Sequence, residues 1–315
     1  MNKLKVCFVG IGSIAKRHIL NLQAICRENN IALCVDALRS SHRPLPEEIE
    51  RAVQNVYFDY ADVPDDYDVI FITNPTEFHL DALKKMRDKG KNFFIEKPLV
   101  SYQKLDEVFT VDYRDDQVYY VACPLRYTNV IQYLKNNLDI SRVISVRAIS
   151  SSYLPDWRPG TDYRNTYSAH KDLGGGVSID LIHEWDYLQY LFGQPERIFY
   201  TCGKKSQLEL DCEDYAIYVA EYKDKVAELH LDYFGRQTIR QVEIFTDTDT
   251  IVGDLVHSRI SYLKSGEVID LSENRNDFQR KELLHFLELI RHPNPPHNSI
   301  PEAYRTLQYT QGVVK

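Results

Sequence analysis

Glu96-Lys97-Pro98 follows a short apolar run, and Pro98 biases Lys97 toward an extended backbone. At the carboxyl edge of a parallel sheet, where ligands bind, such a lysine can hydrogen-bond a substrate hydroxyl and lower its pKa. The oxygen then loses its proton more readily as hydride leaves the carbon. The same residues read equally well as a surface lysine paired with Glu96. A second stretch runs Gly174-Gly-Gly-Val-Ser-Ile-Asp180-Leu-Ile-His183-Glu184-Trp185-Asp186. Read as one helix from Val177 to Leu191, it puts Asp180 and His183 on a shared face, able to hydrogen-bond or to converge on one ligand. Asp186 continues that face and Glu184 points elsewhere. An imidazole suits removal of a hydroxyl proton near neutral pH, and a neighbouring carboxylate can orient it. One histidine without a second is a thin basis for zinc, so no metal is expected. An aspartate in a first helical turn also occurs for structural reasons alone.

These side chains need elements to hold them. Val6 to Val9 reads as a buried strand that runs into Gly10-Ile-Gly12-Ser13-Ile14-Ala15, and Ile14 to Ile25 then takes helical spacing. A dinucleotide pyrophosphate requires that order. Gly10 makes the tight turn, Gly12 lets the backbone approach the phosphates, Ala15 permits close helix–strand packing, and the unpaired amides of the helix start face the anion. The second strand, Ile31 to Leu38, runs into Arg39-Ser40-Ser41-His42-Arg43. An acid at that strand end would accept ribose hydroxyls, but Asp36 lies two residues too early. Arg39 with Ser40 and Ser41 suits a 2′-phosphate, so NADP is expected. A slip of one or two residues in the strand end would restore Asp36 and with it NAD; a solvated basic loop is the bland alternative.

Further strands are expected at Val69 to Thr73, which ends on Asn74-Pro75-Thr76, at Asn92 to Ile95 and at Val118 to Cys123. Helices are expected at Leu80 to Asp88 and Leu99 to Val108. Strands alternating with helices and buried on both faces predict a doubly wound parallel sheet. After Tyr127 the rhythm changes. A helix at Val130 to Asn137 precedes alternating segments at Val143 to Ser151, Tyr215 to Tyr222, Val226 to Tyr233, Arg240 to Thr246 and Arg259 to Leu263, with closing helices at Glu282 to Ile290 and Glu302 to Thr310. This alternation predicts a large, mainly antiparallel sheet with one open face. The expected division is therefore 1–123 for the nucleotide-binding domain and 124–315 for an α+β substrate and oligomerisation domain. The class is α/β overall, and pairing through the open sheet predicts a homodimer or homotetramer.

The 315 residues allow two domains with real cores. A net charge of −8, with no basic block, argues against nucleic acid or anionic membrane surfaces as partners. No apolar run reaches spanning length and the start reads as a strand, so a cytoplasmic location is expected. The six cysteines include no Cys-x-x-Cys pair and read as reduced thiols.

Taken together, Gly10-x-Gly12-x-x-Ala15, Asn74-Pro75-Thr76 with His79, Glu96-Lys97-Pro98 and the glycine-led Asp180…His183 helix occur in an order that resembles the Gfo/Idh/MocA oxidoreductases, relatives of glucose–fructose oxidoreductase and inositol dehydrogenase. The resemblance covers nearly the whole chain. It implies a Rossmann domain, NAD(P)-dependent hydride transfer at a sugar or cyclitol carbon, and a small sugar-like substrate. By it, Lys97 and His183 form the catalytic pair and Asp180 orients the histidine or binds a substrate hydroxyl. Asn74, Pro75, Thr76, His79, Glu96 and Lys97 line the cofactor, beside Gly10, Gly12, Ser13, Ile14 and Ala15. Many members separate the Asp and His by four positions rather than three, which leaves the role of Asp180 open. The stretch from Tyr153 to Ala169 resembles a branch associated with bacterial surface sugars. Its aromatic and planar residues suit a sugar ring, with Trp157 and Tyr163 as walls and Arg158 or Arg164 for a carboxylate or phosphate; a subunit interface would use the same types. Arg126 and Tyr127 are comparable candidates. The rival reading is a cofactor-binding sensor of the same fold without turnover, and a further one is an enzyme that recycles a tightly held cofactor between two sugars.

Overall fold

The computed structural model describes residues 2–292 and 297–314. Its first half alternates β1 (Lys3–Val9), α1 (Ser13–Glu28), β2 (Ala32–Leu38), α2 (Glu47–Glu50), β3 (Asn55–Tyr57), β4 (Val69–Ile72), α3 (His79–Met86), β5 (Asn92–Ile95) and β6 (Val118–Val121). The six strands form one sheet in the order β3-β2-β1-β4-β5-β6, every neighbouring pair parallel. Residues of β4 and of most of β5 are wholly enclosed, as helices on both faces require. Phe8, Phe71 and Phe94 stack across three adjacent strands at 4.4 and 5.1 Å between ring centroids. The order reverses between β1 and β4, so the crevice that takes a ligand opens outside the carboxyl ends of those strands. Leu99 to Val108, expected as an α-helix, winds instead as a 3₁₀ segment over Tyr102–Thr110.

The later part continues with α4 (Asn129–Asn137), β7 (Val143–Tyr153), α5 (Val177–Asp180), α6 (His183–Phe192), β8 (Arg197–Gly203), β9 (Tyr215–Glu221), β10 (Val226–Asp232), β11 (Phe234–Thr246), β12 (Thr250–Asp254), β13 (Arg259–Tyr262), β14 (Val268–Asp270), α7 (Asp277–Leu289) and α8 (Ile300–Tyr309). Its eight-stranded sheet has the order β14-β13-β12-β11-β7-β10-β9-β8, antiparallel except where β7 meets β10. The period of two is plain in β9, where Ala216, Tyr218 and Ala220 are buried and Ile217 and Val219 are exposed. The covered face packs Val146, Ala148, Leu229 and Leu231 with Trp185, Leu188 and Leu191.

One expected helix is corrected. Val177 to Leu191 is two helices, broken at Leu181 (φ −97°, ψ 25°), with His183 opening the second. Val177 through Ile182 are all buried, so surrounding packing rather than one amphipathic stripe sets the local winding. The chain divides into two compact units, residues 1–122 with 279–304 and residues 123–278 with 305–315. The closing segments divide between the two units, 279–304 with the first and 305–315 with the second. Among the described residues, no helix is long and apolar enough to cross a membrane.

Candidate active site

The residues expected to do chemistry fall into two sets, one in each unit. In the first unit Gly10 adopts φ +89°, and a Cβ there would lie 2.6 Å from the Cα of Asn74. Glycine is therefore required by the fold itself, because it lets the turn after β1 touch the turn after β4. The hydroxyl of Thr73 donates to the Gly10 carbonyl at 2.7 Å and ties the same two turns. Gly12 is different. It caps α1 with an extended backbone, and a Cβ there would meet no atom within 4 Å. Among the described residues nothing demands glycine at this position, whereas an anion seated on the amides of Ser13, Ile14 and Ala15 would. Ala15 is wholly buried. These residues fit a dinucleotide pyrophosphate.

Lys97 stands just beyond β5 on the same carboxyl edge, half-buried, and its amide donates to its neighbour Glu96 Oε2 at 3.3 Å. The other oxygen of Glu96 lies 2.6 Å from Nε2 of His18, a buried residue of α1 that the sequence reading passed over as a functional side chain. Burial alone would raise the Glu96 carboxyl; the His18 hydrogen bond, with the nearby charges of His18 and Lys97, outweighs it and holds the group below the usual carboxylate range. Pro75 and Thr76 lead into the turn before α3. His79 is buried, with Nδ1 3.0 Å from the Pro98 carbonyl and Nε2 2.9 Å from the Asn74 carbonyl. Burial pulls its pKa below the ordinary histidine value. Through these contacts it ties the turn after β4 to the one after β5.

Near the end of β2, Asp36 is taken up by partners within the protein. It lies inside the strand, 1% exposed, and accepts from the Tyr67 hydroxyl at 2.7 Å and from the Asn55 amide and side chain at 3.1 and 2.9 Å. The slip that would restore it does not occur. Arg39 is half-buried at the strand end, donating to the Arg43 carbonyl at 2.7 Å, while Ser40 and Ser41 are exposed. His42 stacks on Phe58 at 3.9 Å.

In the second unit the glycines have local reasons. A Cβ on Gly175 would lie 2.3 Å from the Tyr167 carbonyl, and one on Gly176 (φ +121°) 2.4 Å from Glu213 Oε1. Gly175 thus lets α5 start against the backbone of the 167–170 turn, and Gly176 makes room for Glu213. Asp180, the last residue of α5, is buried and accepts from the Tyr233 hydroxyl at 2.7 Å. Tyr233 was not foreseen. Because the helix breaks, Asp180 and His183 do not share one helical face; His183 is half-buried at the start of α6. Asp186 pairs in two-pronged fashion with Arg126, at 2.9 and 2.8 Å, and the guanidinium lies over the Tyr190 ring. The planar donors of Arg126 thus face an internal carboxylate, and half-buried Tyr127 closes the same 3₁₀ turn. Glu184, wholly buried, has Arg240 at 2.9 Å.

Trp157, Arg158 and Tyr163 do come together, around a crevice of about 10 Å³, room for a water and too small for a sugar ring. Trp157 donates to Ser152 Oγ at 2.9 Å, and Tyr163 accepts from the Glu209 amide at 2.9 Å. Arg164 is held by Asp162 at 2.7 Å and Glu209 at 3.1 Å, so its fork already faces carboxylates of this chain. Among the described residues, His170, Asp172 and Asp211 bring metal-ligating atoms within 4.8 Å of one another, but the cluster is largely exposed and His170 Nε2 lies 2.7 Å from the Arg164 carbonyl.

Comparison with known proteins agrees with this layout. The pattern of the oxidoreductase family with an NAD-binding Rossmann fold (GFO_IDH_MocA) matches residues 4–123, and the family's C-terminal domain pattern matches residues 131–252. Uncharacterized oxidoreductase YrbE of Bacillus subtilis (strain 168) is 24% identical over 198 residues, 62% of this chain and 55% of that protein. The chain therefore spans little more than half of that relative's length. Among solved structures, levoglucosan dehydrogenase in complex with NADH superposes with a TM-score of 0.85 at 16% identity, covering 99% of this chain and 96% of that one. The myo-inositol 2-dehydrogenase of Lactobacillus plantarum gives 0.76 at 19% identity, covering 98% and 95%. The chain belongs to the GFO/IDH/MocA oxidoreductase family.

Proposed function

We propose that this protein is an NADP-dependent oxidoreductase acting on a secondary alcohol, or the corresponding ketone, of a sugar, nucleotide sugar or cyclitol. The observation that carries the proposal is Lys97 on the same sheet edge as the open Gly12 cradle, so that one edge holds both an anion seat and a proton-handling group. The levoglucosan and inositol dehydrogenases among its structural neighbours support the substrate class. When bound, the nicotinamide would supply the hydride acceptor. Lys97 hydrogen-bonds the substrate oxygen, and His183 takes the hydroxyl proton as hydride leaves the carbon; reduction runs the same path backward. Arg39, Ser40 and Ser41 hold the 2′-phosphate, a role supported by the removal of Asp36 from contention.

Absorbance of the reduced-nicotinamide band, followed with a panel of hexoses, inositols and nucleotide sugars, tests the activity. Tight cofactor binding with no turnover and no interconverted sugar among the products would favour the sensor reading instead. Cofactor choice is read by fluorescence titration. Arg39→Ala is expected to weaken NADPH about tenfold, by loss of a charge-assisted contact, and to leave NADH unchanged. Tighter binding of NADH than NADPH by the unaltered protein would sink the NADP assignment.

The open face of the eight-stranded sheet exposes Ile217, Val219 and Ile239, with Arg147 set beside Glu228 and Glu243. An apolar strip edged by both charges is self-complementary, and we assign it to pairing with a second copy. Light scattering should report a dimer or tetramer that Ile217→Glu reduces to a smaller species; a monomeric parent protein would end this assignment.

A further inference from the structure

Resting on the reading of Lys97 as the residue that meets the substrate oxygen, we propose that His18 is a positioning residue for the reaction. Through Glu96 it fixes the turn that carries Lys97 to the helix whose start fits the cofactor pyrophosphate. His18 lies three residues beyond Ala15 on the same buried face of α1. Its ring is walled by Phe94 of β5, edge-on at 5.0 Å between centroids, and by Phe71 of β4 at 6.1 Å. Leucine would suit such apolar surroundings better, because Nδ1 is buried with no hydrogen-bond partner among the described residues. Against that cost the imidazole makes one bond, from Nε2 to Glu96 Oε1 at 2.6 Å. An ionised carboxylate only accepts, so Nε2 carries the hydrogen. The second Glu96 oxygen accepts from the Lys97 amide at 3.3 Å, and on the far side His79 Nδ1 lies 3.0 Å from the Pro98 carbonyl. The turn is therefore held on both sides of Lys97, to α1 by His18 and to the turn after β4 by His79. Without His18 the Glu96 end is released, and the backbone that bears Lys97 loses its register with the helix start. A displacement of about 1 Å is enough to spoil a reacting geometry.

The test compares His18→Gln with His18→Leu in the full chain. Glutamine brings an amide N–H to the place of Nε2, whereas leucine fills the space and donates nothing. With the sugar that the parent protein turns over fastest, His18→Leu is expected to lower kcat about tenfold, as loss of a hydrogen bond to a charged group does. KM should stay unchanged, and His18→Gln should keep the parent rate. In a Lys97→Ala background the leucine substitution should slow turnover no further, because its effect runs through the lysine. Lys97 is also read without turnover, by competitive acetylation against the exposed Lys3 and mass spectrometry. Its labelling should rise severalfold in His18→Leu, as the turn opens locally, and match the parent in His18→Gln. Should the leucine variant fail to fold, His18→Asn replaces it, since its shorter amide stops at the place of Nδ1 and should lose the rate that glutamine keeps. Full activity in His18→Leu, or equal loss in His18→Gln and His18→Leu, overturns the proposal. A parent protein that turns over none of the sugars sinks the oxidoreductase reading, and the labelling then decides on His18 alone: equal labelling of all three proteins overturns its positioning role.

Discussion

His183→Ala is expected to slow turnover by about 10²–10⁴-fold, the range for losing a general base, while cofactor affinity stays at the parent value. The split follows from where the residue sits. His183 begins α6 in the second unit, and the residues that fit the pyrophosphate, Gly12 to Ala15, lie in the first. Added imidazole should restore part of the lost rate, which a folding defect would not permit. Lys97→Ala should fall in the same range but also weaken the cofactor, because Lys97 shares the carboxyl edge of the sheet with the glycine turn. Full activity in His183→Ala would remove the histidine from the mechanism and leave Lys97 as the sole proton-handling candidate of the pair.

Much of this site was legible because its constraints are local. A strand, a tight turn and a helix start follow one another within fifteen residues, and glycine at positions 10 and 12 reports that geometry directly. The place of Asp36 inside its strand was equally legible from the apolar run around it; its bonds to Tyr67 and Asn55 were not, since they join residues distant in sequence. The break between Asp180 and His183 left no trace for a related reason. Leu181 and Ile182 continue the apolar spacing, and a segment buried on every side carries no stripe to interrupt. Strand β8 escaped notice for the opposite cause: it is a sheet edge exposed on both faces, so Arg197 to Gly203 lacks alternation. Tyr233 was hidden in plain view at the end of an expected strand, because only the folded sheet brings its hydroxyl to Asp180. His18 had one signal, a histidine on the face of α1 that Ala15, Ile19, Leu22 and Ile25 bury, where a polar group needs a partner.

Arg126 separates two roles that the sequence could not. It and Asp186 are each less than a tenth exposed and joined by two hydrogen bonds, so removing the cation strands a carboxylate in the interior. Arg126→Ala is expected to cost about 3–5 kcal/mol of stability, the range for breaking a buried pair from one side. Asp186→Ala should cost a similar amount by stranding the guanidinium. Replacing both partners with apolar residues of like volume, as in Arg126→Met with Asp186→Leu, should recover most of the loss, because the desolvation of both charges disappears with them. Urea denaturation of the four proteins compares these losses. If Arg126 serves the fold alone, the double variant regains sugar affinity along with stability. A double variant that is stable but blind to sugar would show the guanidinium to be a substrate ligand as well, with Asp186 holding it in place; a single Arg126→Ala as stable as the parent would mean that the buried pair contributes nothing.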